Sequence, residues 1–308
     1  MASYLIKRGY DIIIVDKENG LFKGSSSKNQ NRLHLGYHYP RSEDTINECR
    51  EGYIRFQQDY PDLSTELQEN MYFISENGSK TSVEEFMVKF EELLPCKDTL
   101  PLDIRTVNSK CFRVKERYID FRKACDYFTE RLGQHLFRIH DPSVFDSIDT
   151  ICSRIGVEFD IILNCTYNRL EPFGRVTFET FTTLLYTINT PYPFAYTIMD
   201  GEYYSIFPYS IPEKLYTVTS VKHGPKITNI DTLRQIVDEE MSVVIPTWKD
   251  NAVFYGSYAS YKTKPESSAD DRSVRINVNG KVISVYGGKI TGIFHAEDAV
   301  RDALDKMT

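Results

Sequence analysis

Residues 23–41 read KGSSSKNQNRLHLGYHYPR and gather Ser25, Ser26, Ser27, Asn29, Asn31, Arg32, His34, His38 and Tyr39 into one short run. Imidazoles titrate near neutral pH, so His34 or His38 can serve as a base toward a substrate proton. Arg32 carries a bidentate fork suited to a carboxylate or phosphate, and Arg272 is a second candidate for that role. No core needs so many polar groups together, whereas a loop that wraps a polar cofactor does. The competing reading is a solvated surface loop. Leu33, Leu35 and Gly36 argue against it, because they read as buried or closely approached backbone.

The elements before this loop must position it. Residues 2–8 (ASYLIKR) have helix-forming composition, and Gly9 stands where a C-terminal cap is expected. Ile12–Val15 is an all-apolar run, which predicts a buried strand of a parallel sheet. Asp16 follows it. A carboxylate at the carboxyl end of the second strand of a doubly wound sheet can accept hydrogen bonds from the ribose of a dinucleotide.

The combination KRGYDIIIVDKE followed by SSKNQNRLHLGYHY resembles the D-amino-acid oxidase superfamily of FAD-dependent oxidoreductases, which includes glycerol-3-phosphate and L-2-hydroxyglutarate dehydrogenases. Asn29, His34, Gly36 and Tyr39 fall at matching positions. Residues 284–300, SVYGGKITGIFHAEDAV, resemble the family's closing Gly-Gly-Lys-x-Thr turn, about 250 residues downstream and in the expected order. The resemblance implies FAD as cofactor, contacted by Asp16, Lys17, Ser26, Ser27, Asn31, Leu35, Gly36, Gly287, Gly288, Lys289, Ile290 and Thr291. In such a fold the amides of Gly288–Thr291 would open a helix and stabilise negative charge on a reduced flavin, with Lys289 adding to it. The competing reading is an ordinary glycine turn with a solvated lysine. Tyr39, Tyr204, Tyr209 and Arg272 would face the substrate, and Arg32, His34 and His38 would carry the chemistry. The family also begins with a strand and a G-x-G-x-x-G turn, which this sequence does not contain. The expectation is therefore a cofactor sheet without its first strand, with neighbouring strands left unpaired and FAD bound weakly unless that turn is supplied.

Composition sets limits. The net charge of −7 disfavours a general nucleic-acid surface. No apolar run approaches the roughly 18–20 residues of a membrane span. The six cysteines show no C-x-x-C spacing, which suggests reduced thiols in a cytoplasmic protein and no metal site. Local signals predict helices at 43–60 (capped by Ser42), 82–94 (a Ser82/Glu85 capping box), 121–132 (Asp120) and 229–244 (Asn229). Strands are expected at 71–75, 102–107, 111–115, 159–165 and 251–262, with a polar loop at 264–271 and a hairpin around Asn279-Gly280. Tyr167 stands where the family usually has a glycine after the 159–165 strand. His223 is a weaker candidate base, and His295 reads as structural.

The fold expected is α/β, α+β overall. A Rossmann-like FAD-binding domain (1–68, 118–168, 272–308) would be interleaved with an antiparallel-sheet substrate domain (69–117, 169–271). The function expected is oxidation of a CH–OH or CH–NH group of a small anionic substrate by hydride transfer to flavin. The alternatives are a non-catalytic relic of that fold, an NAD-dependent dehydrogenase and a flavin-dependent sugar mutase. The sequence leaves the oligomeric state open.

Overall fold

A computed structural model describes residues 1–93, 96, 102, 104, 109–266 and 272–307. Helix α1 (Ala2–Lys7) closes through Gly9 at φ +85°, in the left-handed conformation that glycine adopts without a steric penalty. Strand β1 (Ile14–Asp16) follows, then a 3-10 turn at Ser25–Ser27 and the short β2 (Arg32–Leu33). Helix α2 (Glu43–Asp59) starts at Ser42, whose hydroxyl accepts from the Thr45 amide at 3.3 Å. Strands β3 (Ser64–Glu66) and β4 (Glu69–Ser75) lead to α3 (Val83–Lys89), where the Ser82/Glu85 capping box is formed in both directions. Next come β5 (Ser109–Arg113), β6 (Arg117–Ile119), α4 (Phe121–Leu132, capped by Asp120), β7 (Leu136–Arg138), α5 (Ile148–Ile155) and β8 (Ile162–Asn164). Four long strands follow: β9 (Val176–Ile188), β10 (Phe194–Met199), β11 (Tyr204–Ser210) and β12 (Leu215–Ser220). Helices α6 (Ile230–Val244) and α7 (Trp248–Asn251) precede β13 (Ala252–Pro265), the hairpin β14 (Arg275–Asn279) and β15 (Val282–Tyr286), and the closing helix α8 (Ile293–Met307).

The largest sheet has the order β13-β9-β12-β11-β10-β4-β5 among the described residues. Its strands alternate with period two. Met71 and Phe73 point to a core shared with Leu233, Val237 and Met241 of α6 and with Trp248, while Tyr72 and Ile74 point to the other face, against Tyr37, Ile46, Phe86 and Phe90. That sheet is mixed, correcting the expectation of a purely antiparallel one, because β10 and β4 run parallel. Their pairing joins segments far apart in sequence and leaves no local trace.

Two further parallel pairs carry the α/β character: β1 with β7, and β15 with β8. Neither β1 nor β8 has a second neighbour among the described residues. The burial expected for Ile12–Val15 is not seen. The strand is half-buried and Ile13 is 40% exposed, since β1 is covered by a neighbour on one edge alone. Asp16 does stand at the carboxyl end of a parallel strand, in register with Arg138. Helix α3 ends at Lys89, short of Leu94, because Phe90 and Leu93 turn into the core. The strand expected at 102–107 falls mostly outside the described residues, and Leu102 and Ile104 lie in no strand; of the polar loop expected at 264–271, residues 264 and 265 instead continue β13, whose pairing with β9 extends to Pro265, and 267–271 lie outside the described residues. No described helix is long and apolar enough to cross a membrane.

Candidate active site

Helix α2 is the scaffold on which the two motif segments meet. On one side Gly36, at φ +98°, lets the His34–Tyr39 loop close on Ile46, where a Cβ would lie 2.9 Å from the Ile46 Cα. On the other, Gly52 allows the turn before α8 to sit directly on the helix, since a Cβ there would lie 2.0 Å from the Thr291 carbonyl oxygen. Lys289 is buried and ion-paired at 2.9 Å with Glu48 of α2, and it also donates to the Arg272 carbonyl. Glu48 accepts from the Val274 amide at 2.9 Å, and Thr45 accepts from the Arg272 amide at 3.2 Å. Lys289, expected to add its charge to the cofactor turn, is thus held as a strut, its charge offset by a carboxylate.

Between these segments lies a ring cluster. The rings of His34 and His38 are 5.8 Å apart, and Tyr39 is 5.5 Å from His34 and 5.4 Å from His38. The Lys289 ammonium is 5.8 Å from the Tyr39 ring, so residues 34–39 and 287–291 form one neighbourhood. His38 keeps solvent access but is closely surrounded. Desolvation, ahead of the charges of Arg32 and His34, pulls its pKa down to about 3. Burial pushes the Tyr39 phenol upward.

Beneath the rings is a buried polar layer that sequence reasoning missed. Glu116, in the link between β5 and β6, takes the Leu35 amide at 2.9 Å and the Tyr72 hydroxyl at 2.7 Å, and lies 3.3 Å from Nδ1 of His34. Burial works to raise its pKa. The charge and hydrogen bond of His34, with the Arg32 charge and the Tyr72 hydroxyl, outweigh this and hold it at about 2. Arg32 is itself buried. It donates to Tyr72 at 2.7 Å and to Thr197 and Ser205 at 3.0 Å, with its guanidinium 4.4 Å from the Phe207 ring. Beyond His38, Asp200 accepts from Arg41 at 2.9 Å and from Thr81 at 2.9 Å. Burial would raise the Asp200 pKa, but these hydrogen bonds hold it below its ordinary value.

The remaining candidates are spread around this centre. Asn31 (φ +54°) and Ser27 tie the polar loop to β11: the Asn31 amide group reaches the Tyr209 carbonyl at 3.5 Å, and the Tyr209 hydroxyl donates to the Ser27 carbonyl at 3.3 Å. Ser26 is exposed and its carbonyl accepts from Asn29 at 2.7 Å. Leu35 lies against the Glu116 carboxylate through its amide. Tyr204 points into the core on the α6 face, away from Tyr72 and Arg32. Asp16 accepts from the Glu18 amide at 2.9 Å, and Lys17 is 3.9 Å from Glu18. Near the end of β7 a surface hollow of about 450 Å³ is lined by Arg138, Ile139, His140, Asp141 and Arg154. Tyr167 adopts φ +60° and stacks on Tyr286 at 5.6 Å. His295 pairs with Glu51 at 2.9 Å and His223 with Glu240 at 3.2 Å, both outside the ring cluster.

Gly287 and Gly288 are exposed, with nothing closer than 3.5 Å to a Cβ built on either. Among the described residues no backbone or side-chain acceptor takes the amides of Gly288, Lys289, Ile290 or Thr291. These donors lie in the turn that precedes the 15-residue helix α8, which begins at Ile293.

No family model matches the chain. Over its whole length it superposes on fructosamine oxidase (Amadoriase II) from Aspergillus fumigatus, with a TM-score of 0.70 and 10% identity, covering 100% of this chain and 84% of that one. The fold is that of the D-amino-acid oxidase superfamily. L-proline dehydrogenase from P. horikoshii shares this superfamily fold at a TM-score of 0.65 and 12% identity, covering 96% of this chain and 86% of that one. In sequence, the chain is 26% identical over 324 residues to FAD-dependent monooxygenase FPY4 of Fusarium mangiferae, covering 99% of this chain and 88% of the relative. It is 23% identical to FAD-dependent monooxygenase kojA of Aspergillus flavus, covering 97% and 81%.

Proposed function

We propose that the protein is an FAD-dependent oxidoreductase that acts on a CH–OH or CH–NH group of a small substrate, with His34 as base. The observation that carries this reading is the meeting of the Gly288–Thr291 turn with the His34–His38–Tyr39 rings beside one helix, α2. FAD, when bound, supplies the two-electron acceptor. The residues that would hold it are the 288–291 amides, the exposed backbone of Gly287, the polar loop at Ser26, Ser27, Asn31, Leu35 and Gly36, and Asp16 with Lys17 near the β7 hollow.

His34 is preferred to His38 because its Nδ1 lies 3.3 Å from the buried Glu116 carboxylate, which can orient the ring. Arg32, expected from the sequence to hold a substrate anion, already serves Tyr72, Thr197 and Ser205. Arg272, the other arginine the sequence offers for an anionic group, places its charge near the Tyr39 phenol. The division into cofactor and substrate domains is retained. It is supported by the large sheet, whose strands all come from 69–117 and 169–271, and by the β1–β7 and β15–β8 pairs, which come from the rest. The names of the fungal relatives favour a second reading, monooxygenation, in which one oxygen atom of O2 enters the product.

The test is flavin titration of the purified protein followed by anaerobic reduction with candidate substrates. Gly288→Pro, which removes one amide, should weaken FAD at least tenfold. His34→Asn should slow reduction by about 10²–10⁴-fold with flavin content unchanged. Label from 18O2 in the product would select the monooxygenase reading. Full reduction rate in His34→Asn would remove this base from the mechanism.

A further inference from the structure

Glu116 is placed by a ladder. Arg32 pairs with Tyr118 and Leu33 with Arg117 across β2 and β6. Carried one step further, that antiparallel register sets His34 opposite Glu116, at the cross-strand spacing where side chains meet. The carboxylate is 1% exposed and has little freedom. Oε1 takes the Leu35 amide at 2.9 Å, Oε2 takes the Tyr72 hydroxyl at 2.7 Å, and Arg32 Nη1 stands 3.9 Å from Oε2. The Glu116 main-chain carbonyl is held in turn by Asn70 Nδ2 at 3.0 Å. Such a group imposes geometry on its neighbours.

The neighbour left to be ordered is His34, whose Nδ1 lies 3.3 Å from Oε1. An ionised carboxylate has no proton to give, so the hydrogen of this contact belongs to Nδ1. In neutral imidazole the lone pair is then on Nε2, which has no hydrogen-bond partner among the described residues. We propose that Glu116 is the positioning residue for His34: it fixes the Nδ1–H tautomer and presents Nε2 as the proton acceptor for the substrate. This rests on the reading of His34 as base. The step assigned is a proton transfer. The substrate O–H or N–H bond breaks, its electron pair stays on the heteroatom, an Nε2–H bond forms, and the imidazolium charge is offset by the Glu116 carboxylate. The other charged or titratable groups around His34 are His38 and Tyr39 beside it, Tyr72 and Arg32 behind Glu116, and Asp200 with Arg41 beyond His38.

The deciving measurement is imidazole 15N–1H correlation spectroscopy on the full chain without added flavin, above pH 8, with His34→Asn for assignment. His34 should appear as the Nδ1–H tautomer in the wild type and shift toward Nε2–H in Glu116→Gln. A wild-type His34 in the Nε2–H form overturns the proposal, whether or not the protein oxidises anything. In the flavin-loaded enzyme, Glu116→Gln should lower the reduction rate at least a hundredfold with KM changed only a few-fold. The acidic limb of its pH profile should move down by about one unit or more, because a carboxylate beside the base is lost. Glu116→Asp, which keeps the charge, should recover part of the rate and the wild-type limb. An unmoved limb, or a loss in Glu116→Gln that tracks flavin content alone, would show a merely structural role and overturn the proposal. If Glu116→Gln fails to fold, the wild-type tautomer and the pH limb of Glu116→Asp decide alone.

Discussion

Replacing Gly52 with alanine tests whether α2 and the turn before α8 are as tightly joined as the structure shows. Gly52 is buried inside α2, and in an open helix the change would stabilise by roughly 0.5–1 kcal/mol. Here the new Cβ would lie 2.0 Å from the Thr291 carbonyl oxygen, 2.7 Å from its carbonyl carbon and 2.9 Å from its Cβ. Ordinary carbon–oxygen contact begins at about 3.3 Å, so the backbones must part by more than ~1 Å. No flexible side-chain tip is available to give way. Overpacking of this kind costs about 1–3 kcal/mol and occasionally more, which exceeds the helical gain and leaves a net loss of about 1–2 kcal/mol. The same displacement strains the Lys289–Glu48 pair and moves the four amides, so FAD affinity should fall about tenfold for each ~1.4 kcal/mol transmitted. Urea denaturation gives the first quantity and flavin titration the second. Gly256→Ala is the control, since no atom lies within 4 Å of its Cβ, and its midpoint should not fall. A Gly52→Ala protein as stable as the wild type, with equal flavin affinity, would refute the packing argument.

Two further outcomes follow from the buried polar layer. Arg32→Met should cost about 3–5 kcal/mol in stability, because it strands the Glu116 carboxylate and three hydroxyl partners; a folded, equally stable variant with only KM raised would return Arg32 to a substrate role. Glu116 has a folded pKa depressed from 4.5 to about 2, so its contribution is present above pH 4.5 and lost as pH falls toward 2. The stability gap between wild type and Glu116→Gln should therefore narrow across that window in denaturant melts, and a constant gap would contradict the assignment.

What the sequence shows depends on how local the cause is. The Ser42, Ser82, Asp120 and Asn229 caps each form the hydrogen bond that their spacing announces. The Asn279-Gly280 turn joins β14 and β15 as expected, with Gly280 at φ +55°. The polar loop and the Gly-Gly-Lys-Ile-Thr turn were both visible, and they do meet. The fate of their charges was not. Arg32 reads as a ligand for anions until β2 is found beneath the rings, facing Tyr72, Thr197 and Ser205 from three other strands. Lys289 reads as a charge for the cofactor until Glu48, on a distant helix, is found beside it. Glu116 sits in Lys-Glu-Arg, an unremarkable surface-like triplet; only the β2–β6 register gives it meaning. Ile12–Val15 misled in the opposite sense, because an apolar run announces a strand but not how many neighbours will cover it.

The contact of Thr291 with Cys49 spans 242 residues of sequence. During synthesis, α2 therefore emerges long before the turn it is shaped to receive. Until the last strand and helix have been made, the Gly52 face of α2 is uncovered, Glu48 has no ammonium beside it, and the open amides do not yet exist. The site therefore exists only once β15, the turn at 287–291 and α8 have been made, and a cofactor that needs both segments must arrive after them.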